Sequence, residues 1–326
     1  MMTPVPMVRG WAAAEFAPVR NAFASATARR PGGFGAQLAV FHRGDLVVDL
    51  WAGEGVEADS LTGDDSFGEG VVRLTAALLV QEGLVGVEHS TADRRPESGP
   101  RVAARTAFRR AARGGSVGGP LGETVFRATG RTVEEHYERR LRRPLGIDLY
   151  LGLPESERYR YLPAPGGGPS GDRREGEGDR GPGGDGPGPN CGVGNARGAA
   201  SLYSAAVSGT GVGEPFLDRE TLEGIAGSRT PRTGLEGGEE DGPLLGAVPG
   251  VSLPFPGDRA FGHGGATGSL SFADPDAGIA YAFVRRGPSV PAGYGVGENV
   301  PLVAAVAEAA GWTVPVGMSP DPAQTA

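Results

Sequence analysis

The sequence has no lysine, and all 31 of its Lys and Arg residues are arginine. A lysine that serves as general base to a nucleophilic serine is therefore excluded anywhere in the chain. Cysteine is almost absent as well. The single residue, Cys191, cannot form an intramolecular disulfide.

Zinc-site spacings, apolar runs and excess positive charge are missing too. The four histidines are scattered and no Cys/His cluster is present, so the sequence predicts no metal and no cofactor. No run of 18 apolar residues occurs, and the first nine residues lack the apolar core of a signal peptide. The net charge of −8 argues against nucleic-acid binding. We expect a soluble, cytoplasmic protein that binds neither nucleic acid nor membranes.

Hydrophobic periodicity predicts the order of the secondary-structure elements. Helical spacing occupies residues 12–29, 71–82, 118–141, 195–208 and 301–310. Strand patterns occupy 35–41 and 46–51 around a turn at 42–45, and two strands within 261–284 around a turn at 274–278. This order predicts an α/β fold with an antiparallel sheet joined from both chain ends. The terminal helices would cover one face and a helical region the other.

We expect one domain over residues 1–326, with its helical region at about 66–160. Residues 164–190 are dominated by Gly, Pro and charged residues, which predicts a disordered insertion without chemistry. Residues 89–115 carry seven arginines and indicate a solvated helix or loop. An anion-binding patch formed by Arg109, Arg110 and Arg113 is the alternative.

The pattern Ser66-x-x-Glu69 before the apolar helix has two interpretations. In a capping box, Ser66 accepts from the backbone N–H of Glu69, and Glu69 reaches back to the backbone N–H of Ser66. We favour the cap, because a carboxylate at a helix N-terminus is stabilised as an anion and makes a weak base. In the alternative, Glu69 is a general base to Ser66.

Four stretches stand in the order typical of one family. They are the strand at 46–53, Ser66 and Gly70 with the helix at 71–82, the segment 129–154, and the strand at 261–269 that runs on to Pro275. Over roughly 240 residues, this order resembles the β-lactamase-related serine hydrolases, in the class C-like esterase and penicillin-binding-protein branch. The resemblance implies a β-lactamase/penicillin-binding-protein-like fold with a shortened helical region.

In that family a serine at a helix start attacks an ester or amide carbonyl, a lysine one turn later helps to deprotonate it, and a tyrosine relays the proton. The resemblance makes Ser66 the nucleophile and places Glu69 where the lysine would stand. No tyrosine lies in residues 89–117, where the relay would be expected. We interpret Tyr137 and Tyr150, which lie further along, as packing residues.

The edge strand would supply the rest of the site. By the resemblance, the N–H groups of Ser66 and Ala266 would form an oxyanion hole, and Gly264 and Gly265 would let a substrate approach the strand edge. With lysine and tyrosine missing, His263 is the titrating partner left for Ser66. A Ser66–His263 dyad is therefore a hypothesis.

Two functions follow, and both take a small acyl compound or a peptide-like ligand. In the favoured one, a degenerate member has lost turnover and acts as a binding or accessory protein, because two of three proton-transfer groups are gone. The alternative is a repurposed acyl hydrolase or acyltransferase that uses Ser66 and His263. Non-covalent acid–base chemistry by Glu69 is a third possibility. The oligomeric state is not predicted.

Overall fold

The computed structural model describes residues 7–28, 34–85, 120–163, 192–211, 213–226, 259–264, 268–286 and 296–312. The strands are β1 (Arg9–Ala12), β2 (Gly35–His42), β3 (Asp45–Gly53), β4 (Thr62–Asp64), β5 (Leu149–Leu151), β6 (Gly192–Gly194), β7 (Phe261–Gly264), β8 (Leu270–Asp274) and β9 (Ile279–Arg286). The helices are α1 (Ala17–Thr27), α2 (Asp65–Gln81), α3 (Pro120–Thr129), α4 (Val133–Tyr137), α5 (Arg143–Leu145), α6 (Ala196–Val207), α7 (Arg219–Ala226) and α8 (Val296–Ala309). A π-helical segment, Glu138–Arg142, joins α4 to α5, and 3₁₀ turns lie at Ala14–Phe16 and Glu155–Arg160.

The main sheet has six strands in the order β1-β3-β2-β9-β8-β7, and all its neighbours are antiparallel. The predicted joining of both chain ends is confirmed, because β2 pairs with β3 on one side and with β9 on the other. The β2–β3 hairpin also forms where predicted. Its two turn residues, Arg43 and Gly44, have φ angles of 53° and 91°, as a tight hairpin turn of the right twist requires.

Helices cover both faces of this sheet, in agreement with the predicted α/β fold. Alternate residues of a strand face opposite sides, so neighbouring positions of β2 enter different cores. Leu38 and Val40 pack with residues of α1 and α8. Ala39 and Phe41 pack with residues of α2 and α6. The sheet therefore separates a terminal-helix layer from the layer that contains α2.

Three element predictions need correction. Residues 118–141 form two helices rather than one, because Gly130 adopts a φ of 71° and a capping box of Thr132 and Glu135 starts α4. The first of the two strands expected in 261–284 is divided into β7 and β8, which pair with each other. The closing helix α8 begins at Val296, before the predicted start at Pro301.

A second sheet, in the order β4-β6-β5, was not predicted. Each of its strands has three residues, which is too short for a period of two to stand out in the sequence. The predicted insertion at 164–190 and the arginines Arg109, Arg110 and Arg113 lie outside the described residues. Within the described ranges, no helix is both long and apolar enough to cross a membrane.

Candidate active site

The first turn of α2 is fixed by the small sheet. Strand β4 leads directly into α2, and Ser66 is the second residue of that helix. Strand β6 crosses so closely that a Cβ on Gly192 would lie 2.5 Å from the backbone nitrogen of Gly68. The sequence thus needs glycine there to let β6 support the turn. The side chain of Ser66 lies outside the described part of the structure, and the Ser66–Glu69 capping box stays a prediction.

Glu69 lies one turn further along α2, and its side chain contacts the edge strand. Its Oε2 atom is in direct contact with Nε2 of His263, which lies on β7. Both side chains are about three-quarters buried, with exposed fractions of 22% for Glu69 and 25% for His263. Two of the residues selected from sequence are therefore brought together across the boundary between α2 and the sheet.

Arg73 completes this contact from the next turn of α2. Its guanidinium Nη2 lies 3.4 Å from the same Oε2 atom of Glu69. The Arg73 side chain is only 9% exposed. A buried cation beside a carboxylate stabilises the charged form of that carboxylate. The Oε2 atom of Glu69 thus lies against donors on two elements, Arg73 on α2 and His263 on β7.

His263 is neutral at pH 7. Burial lowers the pKa of His263 to about 4, the nearby Arg73 guanidinium acts in the same direction, and Asp64 acts in the opposite direction. The contact with Glu69 is then a hydrogen bond rather than an ion pair. Because a carboxylate only accepts, Nε2 must carry the imidazole proton. In this tautomer the other ring nitrogen, Nδ1, carries a lone pair that can accept a proton.

Tyr203 contacts both elements of the site, β7 and α2. This α6 residue packs its ring on Phe261 of β7, with ring centroids 6.1 Å apart, and its hydroxyl lies against Gly70 of α2. Burial raises the pKa of Tyr203, and Glu69 acts in the same direction while Arg73 opposes it. The phenol is therefore neutral and cannot act as a phenolate base.

The predicted oxyanion residues are only partly described. Gly264 ends β7 immediately after His263, whereas Gly265 and Ala266 lie outside the described residues. The second oxyanion donor therefore stays a prediction. Among the described residues, no cluster of three His, Cys, Asp or Glu side chains could hold a metal ion.

Sequence reasoning missed Arg73 and Tyr203. A signal for Arg73 was present, since it is a lone charge in an apolar helical run and stands four residues after Glu69. Tyr203 carries no such signal, because it lies in an Ala-rich helix 133 residues after Gly70 and 58 residues before Phe261, which are its neighbours in the site. The predicted packing residues Tyr137 and Tyr150 do pack as expected, and their hydroxyls donate to Leu149 O and Asp148 Oδ1.

Comparison with known proteins agrees with this architecture. A family model described as Beta-lactamase matches residues 116–294, more than half of the chain. The structure of EstA from Arthrobacter nitroguajacolicus Rue61a is similar, with a TM-score of 0.71 at 27% identity over 92% of this chain and 98% of that one. A penicillin-binding-protein homologue from Caulobacter crescentus gives a TM-score of 0.70 at 22% identity over 93% and 100% of the two chains.

A family VIII carboxylesterase shares the fold as well, with a TM-score of 0.67 at 22% identity over 93% of this chain and 100% of that one. No curated protein matches the sequence. The family match includes β7 with His263 but begins after α2, so it carries no information on Ser66 and Glu69. Because the family model matches more than half of the chain and the fold agrees with it, the chain belongs to the beta-lactamase family of serine hydrolases.

Proposed function

We propose that the protein is a serine-dependent acyl hydrolase or acyltransferase for an ester or amide, in which His263 replaces the missing lysine as base to Ser66. The contact between Glu69 Oε2 and His263 Nε2 carries the proposal. It fixes the tautomer that leaves Nδ1 basic, which is the task of the carboxylate in a Ser-His-carboxylate triad. The match to the Beta-lactamase family model supports a hydrolytic enzyme of this kind.

The proposed reaction has two steps. Ser66 Oγ attacks the substrate carbonyl carbon while its proton passes to Nδ1 of His263. The imidazolium is stabilised by Glu69 and returns the proton to the leaving alcohol or amine as the acyl-enzyme forms. Water or a second alcohol then attacks the acyl group and gives its proton to His263, which passes it to Ser66 Oγ as the bond between Ser66 and the acyl group breaks. General acid–base catalysis of this kind contributes about 10²–10⁴-fold.

A binding protein without turnover is the second candidate, and one observation favours it. Burial lowers the pKa of His263 to about 4, which makes the imidazole a weak base. The same cleft would then hold an acyl or peptide-like ligand without cleaving it. Non-covalent catalysis by Glu69 is less well supported, because its Oε2 atom already accepts from His263 and Arg73.

The test is covalent labelling of Ser66. The protein is incubated with a fluorophosphonate or an activated ester and its intact mass is followed over time, in wild type, Ser66→Ala and His263→Gln. We expect a single adduct in wild type, none in Ser66→Ala, and formation slowed by about 10²-fold or more in His263→Gln. His42→Gln is the matched control, since His42 packs on Phe16 in the terminal-helix layer. No wild-type adduct would favour the binding protein, and unchanged labelling of His263→Gln would exclude His263 as the base.

A further inference from the structure

A cavity of about 410 Å³ lies at the opposite end of α2 from Glu69. Its lining includes Leu84, Thr129, Arg131, His136, Arg139 and Arg140. Leu84 follows the C-terminal end of α2, and 15 residues at the helical rise put it roughly 20 Å from Glu69. The cavity is therefore separate from the candidate active site. Its volume falls within the range of small-ligand pockets, about 300–1,000 Å³.

Positive charge converges on this cavity from two backbone segments. Arg131 lies in the turn between α3 and α4, whereas Arg139 and Arg140 lie in the π-helical segment. Arg140 pairs with Glu82. Among the described residues, neither Arg131 nor Arg139 forms an ion pair with a carboxylate. Within the described parts of the chain, the three guanidinium groups thus have one ion-paired carboxylate, Glu82.

His136 lies in the cavity wall, where these arginines affect the pKa of its imidazole. The residue is 5% exposed, and its Nε2 lies 2.9 Å from Thr129 Oγ1. Burial lowers the pKa of His136, and Arg140, Arg131 and Arg139 all act in the same direction while Glu135 opposes them. The imidazole is therefore neutral at pH 7, and the net positive field comes from the guanidinium groups.

We propose that this cavity binds a compact oxyanion with two or more negative charges, either a phosphate ester or a polycarboxylate. Guanidinium groups present planar pairs of N–H donors that match both kinds of oxygen. The neighbouring Thr129 and His136 add polar groups to the cavity wall, and Leu84 supplies an apolar surface. A π-helical turn in the wall agrees with such a role, because these turns occur often at functional sites.

Titration calorimetry with pyrophosphate and with citrate tests the proposal and separates the two ligand chemistries. We expect saturable binding of one ligand per chain for at least one of them, at physiological salt. The double variant Arg131→Gln/Arg139→Gln should weaken it at least tenfold, and both side chains are exposed, so the fold should persist. Arg158→Gln is the control, since Arg158 is a 59% exposed arginine outside the cavity, and it should change the Kd less than twofold.

A second readout uses wild-type protein alone. Because the arginines depress the pKa of His136, a bound anion should raise it, and the NMR titration of the His136 ring should move to higher pH when the ligand is added. Absence of saturable binding, or equal losses in the double variant and the control, would overturn the proposal. Equal affinity for sulfate and pyrophosphate would mean an adventitious ion only.

Discussion

With a carboxylate at position 69, the proposed mechanism assigns the proton transfer to a residue other than the one that follows the serine by one turn. In the family that this chain resembles, the residue one turn after the serine is a lysine that handles the proton itself. Here Glu69 accepts hydrogen bonds from His263 and Arg73 with one oxygen. In the proposed mechanism the proton-accepting atom is Nδ1 of His263, and Glu69 is a positioning residue.

Glu69→Gln tests this division of roles. The amide keeps the size of the side chain, but its charge is lost and its NH₂ group can hold the wrong imidazole tautomer. We expect Ser66 labelling to slow by about 10²–10⁴-fold. The free energy of unfolding, from urea denaturation, should fall by no more than about 3–5 kcal/mol, since the buried Arg73 loses its carboxylate partner. Glu82→Gln, at the far end of α2, is the control and should label normally, so equal losses in both variants would contradict the proposed role.

After burial, Arg73 is the next cause that lowers the pKa of His263, and this pKa would limit the pH range of the proposed base. Protonated His263 cannot accept a proton, so Ser66 labelling should fall as the pH drops through the His263 pKa of about 4. Arg73→Met removes a charge that lowers this pKa. The pKa should therefore rise, and the midpoint of labelling should move to higher pH.

NMR titration of the histidine rings checks this shift without any reaction. His42 and His136 are internal controls, because Arg73 is not among the groups that shift their pKa values. A His263 titration that is identical in wild type and Arg73→Met would exclude the proposed influence of Arg73.

At the scale of elements, the long periodic segments were predictable and the short or interrupted ones were not. The β2–β3 hairpin, α2 and α6 formed where the hydrophobic pattern placed them. The break between α3 and α4 was overlooked because Gly130 interrupts an apolar pattern that continues on either side. Its sequence signal was the capping box of Thr132 and Glu135, which stands in the chain as Thr-x-x-Glu.

The sequence predicted individual residues of the candidate site but not the contacts between them. Glu69 and His263 were selected from their motifs, but their contact depends on how closely β7 approaches α2, which no local pattern encodes. The involvement of Arg73 follows from helical spacing once the direction of Glu69 is known. Tyr203 reaches the site through tertiary packing alone.

The packing of α6 on α2 predicts that Gly70→Ala destabilises the protein, although a Gly→Ala substitution normally stabilises a helix. Alanine is favoured over glycine in a helix by about 1 kcal/mol. At Gly70, however, a Cβ would lie 2.9 Å from the Tyr203 hydroxyl oxygen. We therefore expect Gly70→Ala to destabilise the protein by about 1–3 kcal/mol in urea denaturation.

Tyr203→Phe removes the atom responsible for that clash, and the next ring atom is 3.6 Å from the same Cβ position. In the Tyr203→Phe background, Gly70→Ala should therefore be neutral or stabilising. A Gly70→Ala effect of the same size in both backgrounds would show that Tyr203 does not exclude the methyl group. Gly122→Ala in α3, where a Cβ meets no atom within 4 Å, is the control and should stabilise.

At the scale of the whole molecule, the site depends on contacts between distant parts of the chain. Strand β2 pairs with β9, so that Gly35 faces Arg286 and His42 faces Ile279. Contacts of such long sequence separation form slowly, because the chain must lose loop entropy before the pairing is gained. The Glu69–His263 contact likewise joins the two halves of the sequence.

Refolding should therefore restore the sheet and the site in the same step. After dilution from urea, we expect Ser66 labelling to recover no faster than the far-ultraviolet circular dichroism signal of the sheet. Stopped-flow dichroism and quenched labelling measure the two rates on one preparation. Labelling that returns before the sheet would mean that the reactive turn of α2 needs neither β7 nor His263.

The order of strands in the main sheet also has an evolutionary consequence. The chain leaves this sheet at the end of β3 and returns at β7, four strand positions or about 19 Å away. Among the described residues between these two points, no strand joins the main sheet. Changes of length between the described helices of this stretch therefore leave the pairing of the main sheet unaltered, provided that α2 and α6, which cover one of its faces, are kept. During evolution, insertions and deletions there can change the wall of the cleft while the sheet that carries His263 keeps its structure.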